Sequence, residues 1–199
     1  MGTYDAARIK TKNAIIQAFW KLYLQKDISK ITVKDITEAT GIHRATFYLY
    51  FDSVYAVLDW IKAEQLRLLQ NVLFTYTSSE NQYADFLNAM RKLYDQNEVF
   101  LEPLLCRFQG QEFASQYRQA MKNKLRKDIG WRQYPENTRE HLLIDSILSG
   151  LIETFISCLQ TRAISLDCAY RIASQSVENG IACALKQELG ISILQQNDE

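Results

Sequence analysis

The sequence contains little glycine and proline: its 199 residues include seven Gly and two Pro. Sheet-rich chains need more of both, because they form the tight turns between strands. Their scarcity favours a mostly helical chain, and 47% hydrophobic residues are enough for a substantial core. No apolar run reaches the ~18 residues of a membrane-spanning helix, so we expect no membrane partner.

Cysteine and histidine are also sparse, with four Cys and two His. No two cysteines form a C-x-x-C pair, and His43 and His141 lie far from any cysteine in the sequence. This pattern predicts no metal site, no cofactor and reduced, mostly buried thiols. The start of the chain lacks the apolar stretch of a signal peptide, so we expect a cytoplasmic protein.

Motifs of the common enzyme classes are missing as well. The sequence has no Gly-rich phosphate loop, no H-E-x-x-H and no G-x-S-x-G. We therefore expect that the protein is not an enzyme. A catalytic cluster of Cys and His that forms only in the folded chain stays open as an alternative.

Acidic and basic residues balance over the whole chain but not along it. The 23 Lys and Arg equal the 23 Asp and Glu, so the formal net charge is zero. Residues 1–62 contain nine basic and six acidic residues, whereas the remainder contains 14 and 17. A basic N-terminal part on an acidic body indicates an anionic partner there, although chance also produces such a split.

Hydrophobic periodicity predicts a succession of helices. In the first of them, Ile15, Phe19, Leu22 and Tyr23 follow the i, i+4, i+7, i+8 spacing of one apolar face. The predicted helices cover residues 6–25, 44–50, 53–76, 83–95, 98–108, 111–129, 136–160 and 165–189, with a short helix between positions 32 and 41.

The short helix has clear signals at both ends. Thr32 is a good N-cap, and Asp35 suits the positive end of the helix dipole. Ile31 and Ile36 stand at the two positions of a hydrophobic staple. Gly41 follows where a left-handed C-terminal cap is expected. Because another helix begins at about position 44, these residues predict a helix-turn-helix.

The helix after this turn has two different faces. Phe47, Tyr50 and Phe51 share one face by the i, i+3, i+4 rule, which indicates contact with the core. The opposite face consists of Arg44, Ala45, Tyr48 and Leu49.

The C-terminal helices suggest an interface between two chains. An apolar stripe on the first would pair with a side of small residues on the second, and two such pairs form a four-helix bundle. Packing within one chain is the alternative. The predicted dimer interface consists of Leu148, Leu151, Phe155, Leu159, Ala169, Ala173, Ser176, Val177, Gly180 and Ala184.

The segment "ITVKDITEATGIHRATFYLYFDS" resembles the N-terminal DNA-binding signature of the tetracycline-repressor-like (TetR) transcriptional regulators, over roughly residues 8–62. The resemblance implies a ligand-responsive homodimeric repressor that binds a palindromic DNA operator. The expected fold is all-α, with a helix-turn-helix DNA-binding domain at 1–52 and a helical regulatory and dimerisation domain at 53–199. The chain departs from the family at Val54, where a lysine is common, and at Leu49, where a polar or basic residue is common.

If the third helix enters the major groove, Arg44 is the best candidate for direct reading, because its fork matches guanine O6 and N7. A phosphate contact is the alternative role for Arg44. Ala45 and Leu49 would meet thymine methyl groups, although Leu49 also fits a lone exposed leucine or the edge of the core. The other predicted DNA-binding residues, which contact phosphate or a base edge, are Thr32, Lys34, His43, Thr46, Tyr48, Tyr50 and Lys62, with Arg8, Lys10 and Lys12 near the N-terminus as further phosphate candidates.

The resemblance also implies a pocket for an unknown small-molecule effector in the body. Aromatic residues concentrate in its middle helices and in the loop after them, and ligand pockets are mostly apolar. Ordinary core packing is the alternative for each of them. The predicted pocket residues are Phe86, Tyr94, Phe100, Phe108, Phe113, Tyr117, Trp131 and Tyr134.

A second function class stays open, namely a helical dimeric adaptor that has lost specific DNA binding. Val54 gives it mild support, because a lysine at that position would place a charge on a phosphate. A regulator loses DNA affinity steeply as salt rises and prefers one palindrome, whereas an adaptor shows neither property.

Overall fold

The computed structural model describes residues 3–75, 82–106, 111–128 and 138–161, with single positions between 165 and 175. In these ranges the chain is helical and contains no strand, which confirms the all-α prediction. None of the described helices is both long and apolar enough to cross a bilayer. The helices are α1 Thr3–Gln25, α2 Val33–Thr40, α3 Arg44–Tyr48, α4 Val54–Thr75, α5 Gln82–Cys106, α6 Gln111–Asp128 and α7 Arg139–Thr161, with a 3-10 turn at Ile28–Lys30.

The chain divides into two compact units, residues 1–64 and residues 65–199. The division falls inside α4, so this helix contributes to both units. The sequence analysis placed the boundary between residues 52 and 53, at the start of the same helix. A continuous helix across a domain boundary has no local sequence signal, because its hydrogen bonding and periodicity do not change there.

The core of the N-terminal unit forms where α1, α2, α3 and the start of α4 contribute one side each. The predicted face of α1 is buried at Ile15, Phe19 and Tyr23, and it contacts α2. Ile36 of α2 and Phe47 of α3 are completely buried. Each large side chain enclosed in this way contributes roughly 1.5–3 kcal/mol, so these few residues dominate the stability of a small unit.

A capping box starts α2, as the sequence predicts. The Asp35 amide donates to the Thr32 hydroxyl at 3.1 Å, and the Thr32 amide donates to the Asp35 carboxylate at 2.9 Å. The ammonium group of Lys26, at the end of α1, binds the same Asp35 oxygen at 2.9 Å. One carboxylate therefore joins the end of α1 to the beginning of α2.

Gly41 ends α2 in the left-handed conformation that the sequence indicates. Its φ is 71°, and its amide donates to the Thr37 carbonyl at 2.9 Å. The helix α3 then ends at Tyr48, two residues before its predicted end. The Ser53 hydroxyl accepts a hydrogen bond from the Ala56 amide at 3.1 Å and so caps the first turn of α4.

The first helix that lies entirely in the C-terminal unit differs from the prediction. The two helices predicted over 83–95 and 98–108 are a single helix, α5, so that prediction is wrong. Asn97 lies inside this helix, and its side-chain amide donates to the Leu93 carbonyl at 2.9 Å. Pro103 lies in the last turn, where the loss of one backbone donor does not interrupt the helix.

Helices α5, α6 and α7 contact one another pairwise and bury one core in the C-terminal unit. Leu101, Phe113 and Ile156 lie at its centre. Ion pairs between α6 and α7 run along its surface, with Lys122 to Asp145 at 3.1 Å and Arg118 to Glu153 at 3.5 Å. Hydrophobic contact therefore holds the three helices together, and the ion pairs set their register.

Replacing Gly41 by alanine should destabilise the N-terminal unit by about 1–2 kcal/mol, the cost of a left-handed L-residue. An added Cβ would meet no atom within 4 Å, so the conformation of the backbone is the only penalty. Urea unfolding measures the change. Gly150→Ala is the matched control, because its Cβ would also meet open space but inside a helix, where alanine stabilises by roughly 0.5–1 kcal/mol. Equal effects of the two substitutions would contradict this account of Gly41.

The Asp35 cluster should make the junction of α1 and α2 sensitive to acid. Hydrogen bonds from Lys26 and from the Thr32 amide lower the pKa of the Asp35 carboxyl in the folded state. The stabilisation is therefore present above the ordinary Asp pKa of about 3.9 and disappears as pH falls through the lower folded value. Hydrogen exchange of the α2 amides between pH 5 and pH 3 should show the loss.

Asp35→Asn should flatten this pH dependence, because the amide cannot lose a charge. Asp59→Asn, at an exposed position of α4, is the control and should leave the profile unchanged. If Asp35→Asn and wild type lose protection in parallel, the carboxylate does not stabilise the junction.

Candidate nucleic-acid interface

The helix α3 has one buried side and one exposed side. Phe47 is completely buried and Phe51, just beyond the helix, is nearly so. Arg44, Ala45 and Tyr48 are exposed on the opposite side. The structure thus separates the two faces as the sequence predicts. DNA contact by the exposed face stays a prediction.

A chain of aromatic rings fixes the buried side of α3. The Phe47 and Phe51 rings lie 6.2 Å apart, and Phe51 meets Trp60 of α4 edge-on at 6.5 Å. Phe47 also meets Tyr48 edge-on at 5.5 Å. Such pairs add about 0.5–1.5 kcal/mol beyond the burial of area. Because Phe47 is completely buried and Phe51 contacts Trp60 of α4, α3 is held in one orientation, which defines the direction of its exposed face.

Arg44 and Tyr48 form a pair on the exposed face. The Arg44 guanidinium donates from Nη2 to the Tyr48 hydroxyl at 3.2 Å, and its central carbon lies 5.7 Å from the ring centroid. The two residues stand one helical turn apart. The pair restricts where the guanidinium points, so part of the entropy cost of ordering the Arg44 side chain is already met in the free protein.

Leu49 is 77% exposed, the largest value among the exposed large apolar residues described. The alternative that Leu49 forms the edge of the core is therefore wrong. An exposed leucine beside the Arg44–Tyr48 pair is compatible with apolar contact to a thymine methyl group. Neighbouring Tyr50, which the sequence places on the core face with Phe47 and Phe51, is half-buried and so lies at the edge of the core.

The predicted phosphate contacts differ in how free their side chains are. His43 is exposed and makes no capping hydrogen bond to α3. Lys34 pairs with Glu38 at 3.7 Å on the surface, a contact weak enough to exchange for phosphate. The Thr32 hydroxyl is engaged in the capping box. Thr46 and Lys62 are half-buried, and Arg8 and Lys10 are exposed.

Lys12 has a different environment from Arg8 and Lys10. Its ammonium group lies 4.3 Å from the centroid of the Trp60 ring and 5.6 Å from that of Phe51. Sequence reasoning grouped Lys12 with the phosphate contacts because it counted charge and did not compare positions on the helix. Lys12 precedes Ile15 and Ile16 at i+3 and i+4, which places it at the end of the buried face.

The first turn of α4 places Val54 in the core and Tyr55 on the surface. Val54 is only 6% exposed, so its side chain belongs to the core and not to the surface where a lysine would meet phosphate. Tyr55 is 54% exposed in the same turn. Sequence reasoning missed Tyr55, although its hydroxyl is a hydrogen-bond donor of the kind that contacts phosphate. An aromatic residue in the first turn of a helix was the available signal.

The described pocket candidates lie in the core of the C-terminal unit. Tyr94, Phe113 and Tyr117 are buried, and burial raises the pKa of the Tyr117 hydroxyl, so Tyr117 stays neutral. Phe100 is half-buried. No side-chain placement is described for Phe86, Phe108, Trp131 and Tyr134. The effector pocket therefore stays a prediction.

Most of the predicted dimer interface lies outside the described side chains. Leu148, Leu151, Phe155 and Leu159 are on α7, whose backbone alone is described there, and the small residues from Ala169 to Ala184 lie outside the described residues. Ile152 and Ile156 of α7 are buried. Cys158 is also buried, and burial raises the pKa of its thiol, which favours the protonated form. Among the described side chains, no three His, Cys, Asp or Glu lie together as a metal site would require.

Comparison with known proteins supports the assignment of the N-terminal unit. Residues 15–59 match the model of the family "Bacterial regulatory proteins, tetR family". This segment runs from the buried face of α1 to the start of α4 and includes the capping box, the turn at Gly41 and all of α3. The matched residues are therefore those that build the exposed face.

One curated relative is the HTH-type dhaKLM operon transcriptional activator DhaS of Lactococcus lactis subsp. lactis (strain IL1403), 29% identical over 96 residues. The match covers 48% of the chain and 49% of DhaS, so the chain spans about half the length of this relative. The solved structure of the fatty acid degradation regulator FadR from Bacillus halodurans has a similar fold. Its TM-score is 0.59 at 16% identity, covering 85% of this chain and 95% of FadR. The N-terminal segment 15–59 is therefore similar to the tetR family of bacterial regulatory proteins, and the chain shares the fold of FadR.

Proposed function

We propose that the protein is a transcriptional regulator that binds a two-fold symmetric DNA operator as a homodimer and responds to a small-molecule effector. The observation that carries this proposal is the construction of α3. Its buried side is fixed by aromatic contacts at Phe47, while its other side exposes Arg44, Tyr48 and Leu49. A five-residue helix held in this way suits a major groove, which is about 12 Å wide.

On DNA, the exposed face of α3 would read bases, and the residues around it would hold phosphates. Arg44 reads guanine through its fork, and Ala45 and Leu49 contact thymine methyl groups. Thr32, Lys34, His43 and Lys62 set the register without reading sequence. Two copies of α3 would bind half-sites about 34–36 Å apart, or a multiple of that turn.

The homodimer follows from the proposed function because a five-residue helix reads few base pairs by itself. Doubling it doubles the specific contacts and gives the operator its symmetry. The family resemblance favours a repressor, whereas the Lactococcus relative is named an activator. Both kinds of regulator would bind DNA through the same protein surface, and we propose repression. A reporter assay with the operator in its own promoter distinguishes the two, because a repressor lowers expression and an activator raises it.

The effector would act on the C-terminal unit by binding, and we propose no catalysis. A buried aromatic core at Tyr94, Phe113 and Tyr117 offers apolar surroundings with a polar hydroxyl, the composition of a ligand pocket. A ligand that prefers one arrangement of this unit would shift the population of DNA-binding dimers by its difference in affinity. Such a regulator works where the DNA is, so we propose a cytoplasmic location.

Selection of DNA from a random pool, followed by footprinting, tests this function. We expect a two-fold symmetric site with half-sites one helical turn or a multiple apart, and an affinity that falls steeply with salt. Enrichment of no sequence, with weak binding at all salt concentrations, would favour the dimeric adaptor over the regulator. A sharp but asymmetric site would contradict the homodimer.

Arg44 and Tyr48 should act on the operator as one unit. Arg44→Ala should weaken operator binding by roughly 1–3 kcal/mol and relax one base preference. Tyr48→Phe removes only the hydroxyl that holds the guanidinium, and its effect should largely vanish in the Arg44→Ala background. Electrophoretic mobility shifts on the selected operator and on random DNA measure both quantities.

Arg8→Ala is the matched control for the double-mutant comparison of Arg44 and Tyr48, because Arg8 is an exposed cation of the same unit outside α3. It should weaken operator and random DNA equally and lower the salt slope by about one. If Arg44→Ala shows the same pattern as Arg8→Ala, Arg44 touches phosphate only. If the effects of Arg44→Ala and Tyr48→Phe add independently, the pair does not orient the guanidinium.

A further inference from the structure

We infer that Lys12 is a positioning residue for the recognition helix α3, which acts by holding its charge over the Trp60 and Phe51 rings and makes no phosphate contact. The ammonium group is 4.3 Å from the Trp60 centroid and 5.6 Å from the Phe51 centroid. Both distances lie inside the ~6 Å range of a cation–π interaction, and tryptophan is its best partner. Lys12 of α1 thus contacts Phe51, three residues beyond the end of α3, and Trp60 of α4.

The position of Lys12 on α1 explains why its charge is held there. Ile15, Ile16 and Phe19 continue the same face and are buried. The half-buried stem of Lys12 covers apolar surface at the end of this face, and only the ammonium group reaches the rings. Lys10, two residues earlier, points to a different side of the helix and is exposed. Two lysines in one turn therefore have different surroundings.

The rings connect Lys12 to the exposed face of α3. Trp60 meets Phe51, Phe51 meets Phe47, and Phe47 meets Tyr48, with centroid distances of 6.5, 6.2 and 5.5 Å. Tyr48 accepts the hydrogen bond of Arg44. Loss of the charge over Trp60 would loosen the first ring of this series, so α3 would sample orientations that place Arg44 away from its base.

Two measurements on the full-length chain distinguish positioning from phosphate contact. Hydrogen exchange of peptides that cover α1 and α3 reports local opening and needs no DNA. Lys12→Met keeps the apolar stem and removes the charge, and it should increase the opening equilibrium of both helices about three- to tenfold. Lys12→Arg should restore protection, because a guanidinium also stacks on aromatic rings. Trp60→Leu should repeat the Lys12→Met effect from the other side of the contact.

The second measurement is DNA binding, and it rests on the proposed function. Lys12→Met should lower the ratio of operator to random-DNA affinity while the salt slope stays the same, since no phosphate contact is lost. Lys10→Met is the matched control, and it should lower the salt slope by about one and leave hydrogen exchange unchanged.

A Lys12→Met chain that behaves like Lys10→Met, with a lower slope and wild-type protection, would overturn the inference. Failure of Lys12→Arg to restore protection would also overturn it, because the charge over the rings would then not be the cause. If the wild-type chain shows no salt-dependent DNA binding, the proposed function fails. Hydrogen exchange still decides the role of Lys12 in that case.

Discussion

The burial of Phe47 is the contact on which the exposed face of α3 depends. The helix α3 has only five residues, and an isolated helix of that length is not stable in water. Its shape and direction must therefore come from tertiary contacts, and Phe47 is its only completely buried side chain. The turn at Gly41 and the capping box at Thr32 act in support, because they deliver α3 to the place where Phe47 enters the core.

The features that could be predicted from the sequence are those whose interactions are local. Thr32, Asp35 and Gly41 act on backbone groups at most four residues away, so their chemistry is complete within a short segment. The two faces of α3 were also readable, because helical periodicity alone separates Phe47 from Arg44. The all-α fold follows from the same local rules repeated along the chain.

The features that were not readable depend on what lies across the core. Lys12 carries the same charge as Lys10, and although its position on α1 places it at the end of the buried face, its contact with Trp60, 48 residues later in the sequence, depends on packing. Val54 stands where the family commonly has lysine, but its burial is a property of the packed unit. The continuity of α5 through Asn97 is likewise set by the packed unit, since asparagine side chains hydrogen-bond to nearby backbone groups both inside helices and at their ends.

The surface around α3 contains fewer free charges than its composition implies. Lys12 is held by rings, Lys26 by Asp35, and Arg44 by Tyr48. Charge that is held within the protein adds rigidity, while charge that is free adds salt-dependent affinity for any DNA. In the proposed regulator, cations held in this way would add little non-specific affinity for DNA, and the exposed apolar area of Leu49 would add none. Discrimination between DNA sequences would then depend on the shape and direction of α3, which the burial of Phe47 fixes.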